Sequence, residues 1–285
     1  MARSRTYVAV ATAVVACALL APSGASSASA GGPARCPSGG TPPPGSTIAG
    51  GLEVDGFCVL THVTIDGGIN VEPTPLAQLI CCNQNLAILN GSTVDGRVDV
   101  GSASGFVTGI DPDTFNLTHD RSTIGGRLNF DAAGFLLADA TVGGGITKNG
   151  AFDWSLVCGG DPGCFGTDLL CGSDVFGNVT IGDTNSEEVF LGDPKEPLFP
   201  NGDCAGNAIH GSVLLRDTNF SVAGAEPAEI EGNAITGTVK LDHSTVEVNE
   251  NTIGGGLLCS NGSVVRPPVS PDLPGNSVHG TDSCG

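Results

Sequence analysis

The chain has 285 residues, 44 of them glycine, and carries 30 acidic against 11 basic side chains for a formal net charge of −19. So acidic a composition excludes nucleic acid, which needs a basic face, and an anionic membrane surface as partners. It favours solubility and loose cation binding instead.

The first thirty residues read as a secretory signal peptide. Arg3 and Arg5 form a basic start, residues 7–20 an apolar run, and Ala28-Ser29-Ala30 a small-residue cleavage site. Val14-Val15-Ala16-Cys17 offers a lipobox as the lesser alternative, but the apolar run continues past Cys17. No later segment is long and apolar enough to cross a membrane. The expected destination is therefore the medium or the cell surface. Residues 31–45, rich in Gly and Pro, read as a flexible leader.

From residue 46 to 285 one motif recurs. A branched aliphatic anchor (Ile48, Ile65, Val94, Ile124, Val142, Val175, Ile209, Ile235, Ile253, Val278) is followed two residues on by glycine. In nine of the ten copies a second branched aliphatic stands at +4. Offsets 0, +4 and +6 are mostly apolar, the period of a strand with one buried face. The glycine at the inward +2 slot implies a bend or a close backbone approach. An apolar residue recurs five before the anchor (Leu60, Leu89, Leu137, Leu170, Ile230, Val248, Leu273), with Cys204 in the same slot. A small polar residue sits at −2 (Ser46, Ser92, Ser122, Ser173, Asn207, Asn233, Asn251, Asn276), suited to turns and to bonding with its copy in the next coil.

Anchor spacings run from 17 to 34 residues. The short ones give one coil, and the long ones add turn-rich insertions at 101–120, 159–164 and 182–204. Short strands at this period without helices predict an all-β fold, a single parallel β-helix of about ten coils, expected to wind right-handed and to span roughly 50 Å at ~4.8 Å per coil. The pattern resembles the parallel β-helix proteins, and its short coils look most like the bactofilin-type solenoid. It is also similar to exported Gly/Asn/Val-rich repeat proteins of high-GC Gram-positive bacteria. The bactofilin resemblance implies a polymerising cytoplasmic protein, whereas this sequence carries an export signal and cysteine-bearing insertions.

Cleavage would leave ten cysteines, an even number with no Cys-x-x-Cys pair, which reads as disulfides rather than zinc or dithiol redox chemistry. Cys259 and Cys284 share offset +6 in consecutive coils, within disulfide range of each other. Cys36–Cys58 is the matching staple expected at the other end. The remaining six (Cys81, Cys82, Cys158, Cys164, Cys171, Cys204) allow fifteen pairings.

Three patterns could carry function. Outward offsets place Asp66, Asp95 and Asp99 beside Arg97, with Arg127, Glu53, Asn70 and Asn129 nearby. This set would suit a calcium-assisted lyase or hydrolase on an acidic glycan, in which Ca2+ acidifies the proton beside a uronate carboxylate and an arginine removes it. Opposite charges on neighbouring strands also simply stabilise a sheet. Thr47, Thr64, Thr93, Thr123, Thr141 and Thr252 share the outward −1 slot, as an ice-binding solenoid would present them. Four of the five histidines read as repeat positions and His119 as part of an insertion; no nucleophile elbow accompanies them. Asp111-Pro-Asp113 and the stretch from Asp183 to Glu187 alternate oxygens without the full spacing of a calcium loop. The expectation is an exported, non-enzymatic structural or adhesive solenoid with no resident cofactor. Its expected partners are cell-wall or extracellular polysaccharide, or a second copy of the chain.

Overall fold

The computed structural model describes residues 33–36, 42–75, 85–114, 116–151, 166–184, 187–192, 204–219, 228–267 and 274–284. The described residues form three parallel sheets and no helix. Sheet 1 holds the ten anchor strands, such as Thr64–Ile65 and Thr93–Val94. Sheet 2 holds ten strands, most of them running from the +4 position, such as Ile69–Val71 and Val98–Val100. Sheet 3 holds nine strands, such as Phe57–Thr61 and Leu86–Asn90. Each turn of the chain visits sheets 1, 2 and 3 in that order. Every strand pairs in parallel with its copies in the adjoining coils: Ile65 faces Val94, Ile69 faces Val98, and Leu60 faces Leu89. This is a β-solenoid. Its interior is one continuous apolar column running from Cys36 to Leu257, built from the inward residues of all three sheets.

The corner between sheets 1 and 2 is three residues long in every coil. The reason is the glycine column. A Cβ on Gly126 would lie 2.7 Å from the backbone of Gly96 and Arg97, and one on Gly144 would lie 2.9 Å from that of Gly126 and Arg127. From the second coil onward successive coils touch backbone to backbone here, so no side chain fits at +2 and no insertion interrupts the stack; Gly50, in the first coil, has open space around it. Both expectations for the +2 glycine, a bend and a close approach, hold.

All length variation falls at the two ends of sheet 3. Stretches 72–85, 150–165 and 217–227 lie between sheets 2 and 3, and 109–121, 193–207 and 267–276 between sheets 3 and 1. Two of the insertions read from sequence are therefore corrected. The span 101–120 contains the sheet 3 strand Gly105–Thr108, and 182–204 contains Glu187–Gly192. The third, 159–164, lies outside the described residues, as does Leu273. The −5 row is corrected as well. Thr108 and Leu191 continue the row Leu89, Leu137, Leu170, Ile230, and Cys204 does not belong to it. Cys204 instead joins Ile110, Leu117, Leu169 and Phe190 in a second apolar cluster on the outer face of sheet 3.

The leader is not wholly free of the rod. Ala34–Cys36 is the first strand of sheet 2, paired with Leu52–Val54, and Cys36 is bonded to Cys58 across the interior. An inward cysteine partner and an open strand edge together outweigh the Gly/Pro composition around it. The second staple joins Cys259 to Cys284 in consecutive coils, Cα atoms 5.0 Å apart. A third disulfide, Cys171–Cys204, ties sheet 3 to the insertion after it. Three disulfides suit an oxidising, extracellular environment. Cys81, Cys82, Cys158 and Cys164 lie outside the described residues. No helix among the described residues is long and apolar enough to cross a membrane.

Two polar ladders satisfy the remaining corners. Where sheet 3 turns into sheet 1, Asn207, Asn233, Asn251 and Asn276 stack in consecutive coils. Each of the first three donates from Nδ2 to the next Oδ1 at 2.9 Å, and each Oδ1 also accepts the backbone N–H of the residue before it in the stack. Ser92, Ser122 and Ser173 continue the column with hydroxyls that accept from Val63 N, Ser92 N and Ala140 N. At the corner between sheets 2 and 3 a hydroxyl ladder includes Thr74–Ser104 and Thr218–Ser244–Ser263. Buried backbone groups that the turns leave unpaired are satisfied this way.

Candidate functional site

The four residues expected to serve an acidic-glycan lyase all lie on the glycine corner and the neighbouring edge of sheet 2. Asp66 and Asp95 are exposed +1 residues of consecutive coils, Arg97 leaves the same corner at +3, and Asp99 points outward from sheet 2. The structure brings only one pair together. Arg97 Nε meets Asp99 Oδ2 at 2.7 Å, and Asn129 donates to Asp99 Oδ1 at 2.7 Å, so both oxygens of Asp99 are engaged. A guanidinium acts as a base where burial or neighbouring cations disfavour its charge. Arg97 is 71% exposed and faces a carboxylate. Nearby, Glu53 is held by Arg35 at 2.8 Å and Asn70 donates to Glu72 at 2.6 Å. Among the described residues no three or more carboxylate, histidine or cysteine side chains gather as a cation site.

The two suspected calcium loops differ in what can be seen of them. Asp111 Oδ1 accepts from Asp113 N, Thr114 N and Thr114 Oγ1 at 2.8–3.0 Å, a turn closed on its own side chain. Burial pushes the Asp111 carboxyl up, but the bonds from Thr114 and Asp113 outweigh it and hold the group below its ordinary value. Asp183 pairs with Arg216, whereas Asn185 and Ser186 lie outside the described residues.

Three of the histidines have defined roles. His119 Nδ1 pairs with Asp139 at 3.1 Å, His243 Nδ1 with Asp217 at 2.7 Å, and the His210 ring stacks on Phe176. His119, Asp139, Asp217 and His243 all have left-handed backbone, φ 49–57°. Both hydrogen bonds therefore join corner residues across coils. The His119–Asp139 pair borders a cleft of about 120 Å³ beside the Cys171–Cys204 bond, lined also by Leu117 and Ala138.

The threonine row is continuous over five coils, Thr47–Thr64–Thr93–Thr123–Thr141, before Asp174 interrupts it. Asp174 is itself held by Arg121.

Sequence reasoning missed one constellation. Lys148 and Asp168 form an ion pair inside the rod, Nζ to Oδ2 at 2.5 Å, with neither side chain exposed. Lys148 also donates to Ala133 O at 2.8 Å, Asp168 Oδ1 accepts from Phe135 N at 3.0 Å, and the Phe135 ring lies 5.8 Å from the ammonium. The signal was present. Lys148 stands at +6 and Asp168 at −7, both inward slots that hold apolar residues in neighbouring coils, such as Phe130 and Phe135.

No protein-family model, no curated protein and no solved structure matches the chain.

Proposed function

We propose that the protein is an exported, non-enzymatic β-solenoid that acts by surface contact, as a structural or adhesive rod at the cell surface or in the medium. The signal-peptide pattern of residues 1–30 and the three disulfides support export. The observation that carries the reading is how the polar side chains are used. Arg97–Asp99, Arg35–Glu53 and Arg121–Asp174 neutralise one another along the exposed faces instead of converging on a common point. Sheets 1 and 2 meet at a corner free of insertions, which gives the rod an uninterrupted contact surface, while the insertions flank sheet 3. The short coils resemble those of a bactofilin-type solenoid. Suitable partners are cell-wall or extracellular polysaccharide, or a second copy of the chain. Release of unsaturated product from uronate polymers, measured with and without a chelator, tests the reading. Calcium-dependent product lost on Arg97→Ala would replace it with the lyase alternative built on Arg97, Asp66, Asp95 and Asp99.

One observation favours a second reading. The five threonines in register on sheet 1 form a rank at the strand spacing, the arrangement an ice-binding face needs. An ice-recrystallisation assay decides it, with Thr93→Lys as the disrupting variant.

A further inference from the structure

Phe176 and His210 are the +1 residues of consecutive coils on the glycine corner. Their rings stack with centroids 4.6 Å apart and planes 7° apart. That separation is close to the strand spacing, so the two rings are rungs of a ladder running along the rod. In the next coil toward the N-terminus the rung is missing, because the +1 residue is Gly143. The coil before that has Gly125, and the first side chain met in the column is Asp95. One face of the Phe176 ring therefore looks over a glycine floor, and Phe176 is 55% exposed, one of two large apolar residues exposed among the described residues, the other being Val264.

The gap is fixed by backbone packing. A Cβ on Gly143 would lie 2.4 Å from Gly125 O, and one on Gly145 would lie 2.6 Å from Asn178 O. Polar groups rim the floor. Arg127 and Asn178 are the +3 residues on either side of Gly145, about 10 Å apart along the rod at the strand spacing. Thr141 and Thr147 flank the floor on sheets 1 and 2. The side chains of Arg127, Thr141 and Thr147 make no hydrogen bond or ion pair among the described residues. Asn178 spends Oδ1 on Ser212 N at 2.8 Å, which leaves its Nδ2 to donate outward. Among the described residues Asp99 pairs with Arg97 and Asp174 with Arg121, whereas Arg127 beside the gap and Asp95 at its far end have no ionic partner.

We propose that this gap binds a uronate pyranose of an extracellular polysaccharide. The sugar's C–H face takes the position of the missing rung against Phe176, and its carboxylate meets the Arg127 guanidinium, which is shaped for bidentate pairing. Asn178 Nδ2 and the two threonine hydroxyls meet the ring hydroxyls. A pyranose chair stacked face-on fits in the two-rung gap between Phe176 and Asp95, and the polymer's remaining sugars lie along the insertion-free corner. The site rests on the surface-contact reading above and gives it a ligand class.

The test is titration calorimetry of the mature secreted protein with a galacturonate hexamer and, as the neutral arm, cellohexaose. Saturable binding of the galacturonate hexamer is expected. Phe176→Ala should weaken it by at least about tenfold, as loss of a buried aromatic anchor does, and Arg127→Gln should remove the preference over cellohexaose. Phe176 is exposed and outside the core, so circular dichroism should show both variants folded. No saturable binding of the galacturonate hexamer, or binding unchanged by Phe176→Ala, would overturn the site. Retention on insoluble polysaccharide that survives Phe176→Ala would remove this site while leaving the surface-contact reading intact.

Discussion

Lys148 and Asp168 pair across the interior of the rod, one from sheet 2 and one from sheet 3, in the same pair of inward rows that Cys36 and Cys58 bridge at the first coil. One place in the core thus holds a covalent cross-tie and another an ionic one. Removing one member of a buried pair leaves a charge without compensation, at a cost of about 3–5 kcal/mol. Lys148→Ala should therefore lower the urea midpoint sharply. Lys148→Met combined with Asp168→Asn keeps an acceptor for Phe135 N–H and removes both charges. The double variant should recover most of the loss, and equal damage in the single and double variants would show that the pair itself is not the source.

Asn233 tests the corner ladder. Its Nδ2 donates to Leu191 O at 2.8 Å and to Asn251 Oδ1 at 2.9 Å, and its Oδ1 receives Asn207 N. Truncation to alanine leaves several buried groups unpaired, each costing about 1–3 kcal/mol. Ser173 shows that a hydroxyl serves in the same column. Chemical unfolding should rank Asn233→Ser as the mildest change, Asn233→Ala as worse, and Asn233→Asp as worst, since a carboxylate would face Leu191 O and Asn251 Oδ1.

Gly126→Ala should destabilise by about 1–3 kcal/mol or more, the scale of forced overpacking, because every near neighbour of the new methyl is backbone. Gly275→Ala is the control. Nothing lies within 4 Å of its added Cβ, so its thermal midpoint should match the native protein's.

Asp242 predicts an acid-sensitive coil. Bonds from Asn261 and from Ser260 at 3.0 Å lead the causes, with Lys240 and Arg216 adding attraction, and they hold its carboxyl below the ordinary 3.8. A depressed carboxylate contributes stability that is present above the unfolded value and is lost as pH falls through the folded one. Stability should therefore drop as pH falls below about 3.8, and the loss should be smaller in Asp242→Asn. Urea titrations at pH 5 and pH 3 measure it, and identical pH dependence in the two proteins would contradict the assignment.

The glycine corner was fully legible from sequence because its three-residue length never varies, so residues indexed to it land correctly. Cys259 and Cys284 at +6, the −2 ladder and the threonine row at −1 all followed from that index. Legibility faded with distance from the anchor. The hydroxyl ladder through Ser104, Thr218 and Ser244 sits beyond insertions of unequal length, so no fixed offset reveals it. The strands Gly105–Thr108 and Glu187–Gly192 were absorbed into insertions for the same reason, and Cys204 was assigned to a row that Leu191 fills. The Phe176–His210 stack is not legible in the sequence pattern, because a ring contact between coils depends on side-chain direction as well as on slot.

Action by surface contact is measured most directly by co-sedimentation of the intact protein with insoluble acidic polysaccharide, assaying pellet and supernatant from one tube. Protein is expected in the pellet, released by soluble galacturonate oligomers, with the polymer unshortened. Protein left in the supernatant together with newly formed unsaturated oligosaccharides would contradict it.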